Sequence, residues 1–187
     1  MNKLIINALF ITIVSMACLS CTIFTNQAKS HNDSGVDYQS KGQYDMAIVE
    51  YNEAIKLDPK YAIAYYNLGR VYEDKRQYDM AIAEYNKAIE LNPQLAEAYN
   101  SRGACYIEQG QYDKAIVEYT KAIEMNPKSY TAYNNRGDAY NNNGQSDLAI
   151  ADFNQAIKLD PQQAILYFNR GIAYADKGQY DIEVGCQ

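Results

Sequence analysis

The sequence predicts an all-α solenoid built from antiparallel helix-turn-helix units of 34 residues. Three observations carry that expectation. The four prolines, Pro59, Pro93, Pro127 and Pro161, stand 34 residues apart, and there is no other proline. Gly35, Gly69, Gly103, Gly137 and Gly171 keep the same spacing, as do Tyr38, Tyr72, Tyr106, Tyr140 and Tyr174. Small and aromatic positions follow suit: Ala47, Ala81, Ala115 and Ala149; Tyr51, Tyr85, Tyr119 and Phe153; Ala54, Ala88, Ala122 and Ala156. A fixed period of this length marks a stacked array, whose units bury their apolar faces only against neighbours.

Each element of the unit has a local reason. Ala62 to Lys75 carries Tyr65, Leu68, Gly69 and Tyr72 at spacings of three and four, one face of a helix. The turn Gln77-Tyr78-Asp79 follows. In the other units a glycine precedes it, at Gly42, Gly110, Gly144 and Gly178, which suits a helix C-terminus. Asp79 and its equivalents Asp45, Asp113 and Asp147 are expected as N-caps of the second helix. That helix carries Ile82, Tyr85, Ala88 and Ile89 on one stripe. Asn92-Pro93 stops it, because proline disfavours helix at the residue before it. Gly69 and Ala88 let two helix backbones approach while the tyrosines fill the spaces between layers.

The unit YNLGRVYEDKRQYDMAIAEYNKAIELNP resembles a tetratricopeptide repeat. The family pattern of aromatic, Leu-Gly, Tyr, Ala, aromatic, Ala and Pro is met by Tyr65, Leu68-Gly69, Tyr72, Ala81, Tyr85, Ala88 and Pro93. Tyrosine replaces the family's usual tryptophan, and Arg102, Arg136 and Arg170 replace the leucine before glycine. The resemblance spans residues 28–181 and implies a right-handed solenoid. Units 62–95, 96–129 and 130–163 are complete. Unit 28–61 is an atypical cap, with polar His31, Asn32, Asp33 and Ser34 in its degraded first helix. Unit 164–187 has a good first helix and then departs to Asp181-Ile182-Glu183-Val184-Gly185-Cys186-Gln187. Ile165, Leu166, Phe168, Ile172 and Tyr174 are therefore expected to lack part of their cover, which leaves a lone cap, a docking end or a truncation as readings.

Residues 1–20 read as an address. Met1-Asn2-Lys3 is a basic start, Leu4 to Ala17 is mostly apolar, and Cys18 and Cys21 follow. The layout resembles a bacterial lipoprotein signal, with Cys21, or else Cys18, as the lipidated residue. A plain cleaved signal and an uncleaved anchor over Leu4 to Phe24 stay open, since about 20 apolar residues cross a bilayer. All three place the array outside the cytoplasm, tethered through residues 21–33. Membrane contact is expected through this segment alone.

The net charge is −6 and no basic stripe occurs, which argues against nucleic acid and against docking on anionic lipid. Cys105 stands where other first helices have Val71, Ala139 and Ala173, so it is expected as a small core residue; a bridge to Cys186 is not expected. The single histidine, His31, is read as a solvated cap residue. Glu50, Glu84, Glu118 and Asp152 recur on the second helices and are read as an exposed face rather than an acid-base or calcium row. No phosphate loop, metal spacing or nucleophile motif occurs, so no enzyme and no cofactor is expected.

In the resembled family the first helices line a concave surface that holds an extended peptide or a partner helix. Carried over, that surface shows Ile63, Tyr66, Asn67 and Arg70, then Glu97, Asn100, Ala104 and Ile107, then Thr131, Asn134, Asp138 and Asn141, and finally Ile165, Phe168 and Ile172. The asparagine amides, each a donor and an acceptor, suit a peptide backbone, and are read as not needed for the core. The subclass that grips a C-terminal carboxylate with lysine and arginine is not matched, because Asn32, Val36, Asn67, Glu97 and Ser101 occupy the corresponding positions. The reading is a non-catalytic binding module with a protein partner. Self-association through the uncapped last helix is the alternative.

Overall fold

A computed structural model of the chain describes residues 24–178. Among the described residues there are nine helices and no strand. The first, α1, covers residues 24–40. It is followed by α2 (Tyr44–Leu57), α3 (Ala62–Asp74), α4 (Tyr78–Leu91), α5 (Ala96–Glu108) and α6 (Tyr112–Met125). The last three are α7 (Tyr130–Asn142), α8 (Ser146–Leu159) and α9 (Ala164–Asp176). The polar stretch 28–33, expected as part of a tether and a degraded first helix, lies inside α1. Its Ala28 and Asn32 are buried, which supplies the helical face that a count of apolar residues misses. The segment read as a signal, with Cys18 and Cys21, lies outside the described residues, as does Cys186.

Odd- and even-numbered helices alternate, and each packs on the next. First helices also meet across units, α3 with α5, α5 with α7 and α7 with α9, whereas α4, α6 and α8 do not touch one another. The odd-numbered helices therefore form the inner, closer-packed layer of a curved array, and the even-numbered helices the outer layer.

Every helix pair of a unit interlocks through one glycine and one ring. Tyr51, Tyr85, Tyr119 and Phe153 are at most 2 % exposed. A Cβ placed on Gly35, Gly69, Gly103 or Gly137 would meet the matching ring at 2.5–2.8 Å, closer than real carbon contacts allow. The ring thus lies flat on the backbone of the helix it faces. Alanines four residues before and three after each ring, such as Ala81 and Ala88, are buried around it.

The turns are equally regular. Gly42, Gly110, Gly144 and Gly178 take φ of 69–79° at the ends of the first helices. The following N–H bonds back to the residue five before it, as Gln111 N to Tyr106 O at 2.8 Å, closing a Schellman motif. At the other turn, Asp58, Asn92, Asn126 and Asp160 accept from the backbone N–H two residues on, across the proline, at 3.0–3.2 Å.

The expected aspartate N-caps are a correction. Gln43, Gln77, Gln111 and Gln145 hold the N-cap positions and make no side-chain cap bond. Asp45, Asp79, Asp113 and Asp147 sit inside the first turn, where a negative charge still favours the helix dipole. Their carboxylates turn outward to the next unit instead. Asp45 accepts from Lys75 at 2.6 Å, Asp79 from Gln109 at 2.8 Å, Asp113 from Asn143 at 2.8 Å and Asp147 from Lys177 at 2.5 Å. Each partner lies 30 residues on, at the end of the next first helix.

Candidate functional site

The inner helices carry two kinds of side chain: those bound between units and those left facing outward. Asn67 is 7 % exposed, and its Nδ2 donates to Asn32 Oδ1 at 2.9 Å. Asn135 Nδ2 donates to Asn100 Oδ1 at 3.2 Å, and Asn169 Nδ2 to Asn134 Oδ1 at 3.0 Å. Asn134 also donates to Asp138 Oδ2 at 3.2 Å, and Asn141 to Asp176 Oδ2 at 2.6 Å. The asparagines read as spare are in fact rungs joining neighbouring first helices. A buried amide needs such partners, because leaving one unpaired is costly.

The acidic row is also corrected. Glu118 and Asp152 are buried rather than exposed. Arg102 Nη2 reaches Glu118 Oε2 at 2.6 Å, and Arg136 grips both oxygens of Asp152 at 2.7 and 2.9 Å. The same guanidinium reaches the preceding unit, Arg102 to Asn86 Oδ1 and Arg136 to Thr120 Oγ1. Each arginine thus clamps two successive outer helices, 16 residues before and 16 after itself. In α3 the position is Leu68, and Glu84 lacks that clamp; burial raises its carboxyl above the usual range. His31 is half-exposed and pairs with Glu50 at 2.7 Å rather than standing free in solvent. The arginines and carboxylates were both visible as repeats in the sequence, and their 16-residue offset is the signal that links them.

Part of the inner layer stays open between α5 and α7. A cleft of about 160 Å³ is lined by Tyr66, Glu97, Asn100, Ser101, Asn126, Ser129 and Thr131, with Ala96, Ala122 and Ala132 as its floor. It brings together Tyr66, Glu97, Asn100 and Thr131 from the set expected to line the groove. Glu97 and Thr131 are exposed. Tyr66 is held by a tilted contact with the Tyr85 ring, centroids 5.9 Å apart. Asn100 accepts from Asn135, so its own NH2 stays available to a ligand carbonyl. Ile63, Ile107, Asn134, Asp138 and Asn141 are half-buried, and Arg70 and Phe168 are exposed outside the cleft. Burial pushes the Asp138 carboxyl up to about 6.

Cys105 is fully buried, and burial drives its thiol up to about 12, so it is unreactive core. Among the described residues no group of His, Cys, Asp and Glu has the arrangement of a metal site. Among them, too, no helix is long and apolar enough to cross a membrane. Sequence reasoning missed one surface feature: Met46, Val49, Met80, Val117 and Leu148 are exposed along the outer helices. Their recurrence near the start of each second helix was the available signal.

The tetratricopeptide (TPR) repeat pattern matches at residues 35–75, 70–110, 103–144 and 137–178. Among solved structures, a crystal structure of MamA is 31% identical, covers 79% of this chain and 86% of its own, and superposes with a TM-score of 0.73. YrrB, described as a TPR protein with an unusual peptide-binding site, is 26% identical, with coverage of 81% and 78% and a TM-score of 0.69. PilF of Pseudomonas aeruginosa shares the fold at 21% identity, with coverage of 84% and 72% and a TM-score of 0.76. No curated protein sequence matches the chain. The repeat matches, the 34-residue register and the glycine-ring interlock agree: the chain belongs to the tetratricopeptide repeat family, whose arrays act as protein-interaction scaffolds.

Proposed function

We propose that the protein is a non-catalytic adaptor that holds an extended peptide or a partner helix across its inner face. The observation that carries this reading is the cleft between α5 and α7. There an aromatic wall (Tyr66), a carboxylate (Glu97) and the unpaired NH2 of Asn100 converge in a space about 160 Å³ in size. An amide donor beside an apolar floor satisfies a strand-like backbone while alternate side chains fill the pocket. The peptide-binding site named for YrrB supports the same use of a similar array.

The test is to fill the cleft without disturbing the fold. Glu97→Arg with Thr131→Arg places two long side chains at exposed positions. Crosslinked capture from the source's envelope extract is expected to recover a partner with the parent chain and to lose it with this variant. Equal capture by both would remove the groove from the account.

The address belongs to the same proposal: a lipid on Cys21 would hold the array at a bacterial envelope. Incorporation of labelled palmitate is expected in the parent and not in Cys21→Ser. Label retained there but lost in Cys18→Ser would move the anchor, and no label in the parent would refute it.

A further inference from the structure

The inner layer repeats one polar contact and omits it once. Asn67 donates back to Asn32, Asn135 to Asn100 and Asn169 to Asn134, each across 35 residues between neighbouring first helices. In that register the pair between α3 and α5 is Ser101 and Tyr66, so the amide rung is missing there. The Ser101 hydroxyl turns instead to that of Tyr85, which donates to Glu73 Oε2 at 2.5 Å. Both residues of the missing rung line the cleft of about 160 Å³. The cleft therefore opens where the stitching of the inner layer is interrupted, and a serine in the place of an asparagine leaves it room.

The chemistry of the lining narrows the occupant. Among the described residues Glu97 is the only charged residue that lines the cleft. It is exposed and has no cation partner among them. Arg102 and Arg136, on the two inner helices that flank the cleft, are committed to Glu118 and Asp152 on outer helices. Around that lone carboxylate the surface is apolar: Ala96, Ala122 and Ala132 form the floor and the Tyr66 ring a wall. A long aliphatic stem that ends in a cation fits both features, because lysine and arginine lay their methylenes along apolar surface and keep the charge in water. The molecule already seats arginine on tyrosine. The guanidiniums of Arg102, Arg136 and Arg170 lie 5.5–5.7 Å from the ring centres of Tyr99, Tyr133 and Tyr167. An acidic side chain would meet Glu97 as a like charge, and a purely apolar one would gain nothing from it.

We propose that the cleft is a selective subsite for a lysine or arginine side chain of the bound segment. The stem lies along Tyr66, the cation pairs with Glu97, and the free NH2 of Asn100 donates to a backbone carbonyl of the segment. This assignment rests on the inner-face reading above and adds to it the charge of the partner.

The probes are three seven-residue peptides, Thr-Ser-Thr-X-Thr-Ser-Thr with acetyl and amide ends, in which X is arginine, norleucine or glutamate. Each is titrated into the isotope-labelled full chain and followed by NMR. The arginine peptide is expected to shift the amides of Glu97, Asn100 and Ser129 saturably, to bind about threefold or more tighter than the norleucine peptide, and to weaken with added salt. The glutamate peptide is expected not to bind. Glu97→Gln keeps the shape of an exposed side chain and removes its charge, and is expected to bring the arginine and norleucine peptides to equal affinity. Tyr66→Asn with Ser101→Asn supplies the rung found in the other units; it is expected to keep its helical circular dichroism and to lose the arginine peptide. Equal binding of arginine and norleucine peptides by the parent would overturn the proposal and leave the inner-face reading standing. Free L-arginine that binds as tightly as its peptide would overturn it too, since the cleft would then serve a small cation rather than a segment. So would the absence of any saturable shift at the cleft; a captured partner that is still lost in Glu97→Arg with Thr131→Arg would then sit on the inner face through other contacts.

Discussion

Arg76 holds φ at 57°, the left-handed region that Gly42, Gly110, Gly144 and Gly178 fill in the other units. Its N–H and that of Gln77 make the same capping bonds, at 2.8 Å to Glu73 O and Tyr72 O. A side chain in that region costs about 1–2 kcal/mol, partly offset because glycine loses more entropy on folding. Arg76→Gly is therefore expected to raise the denaturant midpoint by the equivalent of up to about 1 kcal/mol. An unchanged or lowered midpoint would show that the arginine side chain contributes more than its backbone costs. The glycines at these turns were legible in the sequence because glycine takes that conformation at the least cost. The role of the asparagines was not legible. Asn67 reads the same whether it faces a ligand or Asn32, and only the curvature of the array decides that it is buried.

At the scale of the element, the helices and their order were legible, because period and proline spacing report local structure directly. The N-caps were not. An aspartate one or two residues from a helix start serves a cap or a first turn equally well, and here the partner 30 residues on claims it. The clamps between helices matter more for stability. Arg136 and Asp152 are 17 % and 9 % exposed and make a two-pronged pair. Removing one partner from such a pair strands a charge, at a cost of about 3 kcal/mol, whereas replacing both by apolar residues is close to neutral. Arg136→Leu is therefore expected to lower stability strongly, and Arg136→Leu with Asp152→Leu to recover most of the loss. The molecule already contains half of this comparison, since Leu68 stands in the arginine position of α3. Additive losses in the double variant would show that packing on Tyr133 and Tyr140, rather than charge, is what Arg136 supplies.

Across the described residues, the repeated interlocks produce a row of buried clusters between two unlike faces. The inner layer is stitched by amide rungs, so it keeps its curvature without a ligand and offers a preformed cleft. Preformation lowers the ordering cost of holding a flexible peptide. Family membership was legible because it rests on repeated spacings. The cleft was legible only in part: Tyr66, Glu97, Asn100 and Thr131 converge on it, while Asn134, Asp138 and Asn141 are engaged between units. Which inner residues are free depends on contacts 35 residues away, beyond any single-helix pattern.

The most direct test of the inner face as the binding surface is site-specific photocrosslinking in cells of the source, with the photoreactive residue at Thr131 in one protein and at Val117 in another. Both positions are exposed, one beside the cleft and one on the outer layer. A discrete crosslinked species from Thr131, absent from Val117, is the result this account predicts. Crosslinks from Val117 with none from Thr131 would contradict it and move the binding surface to the outer helices.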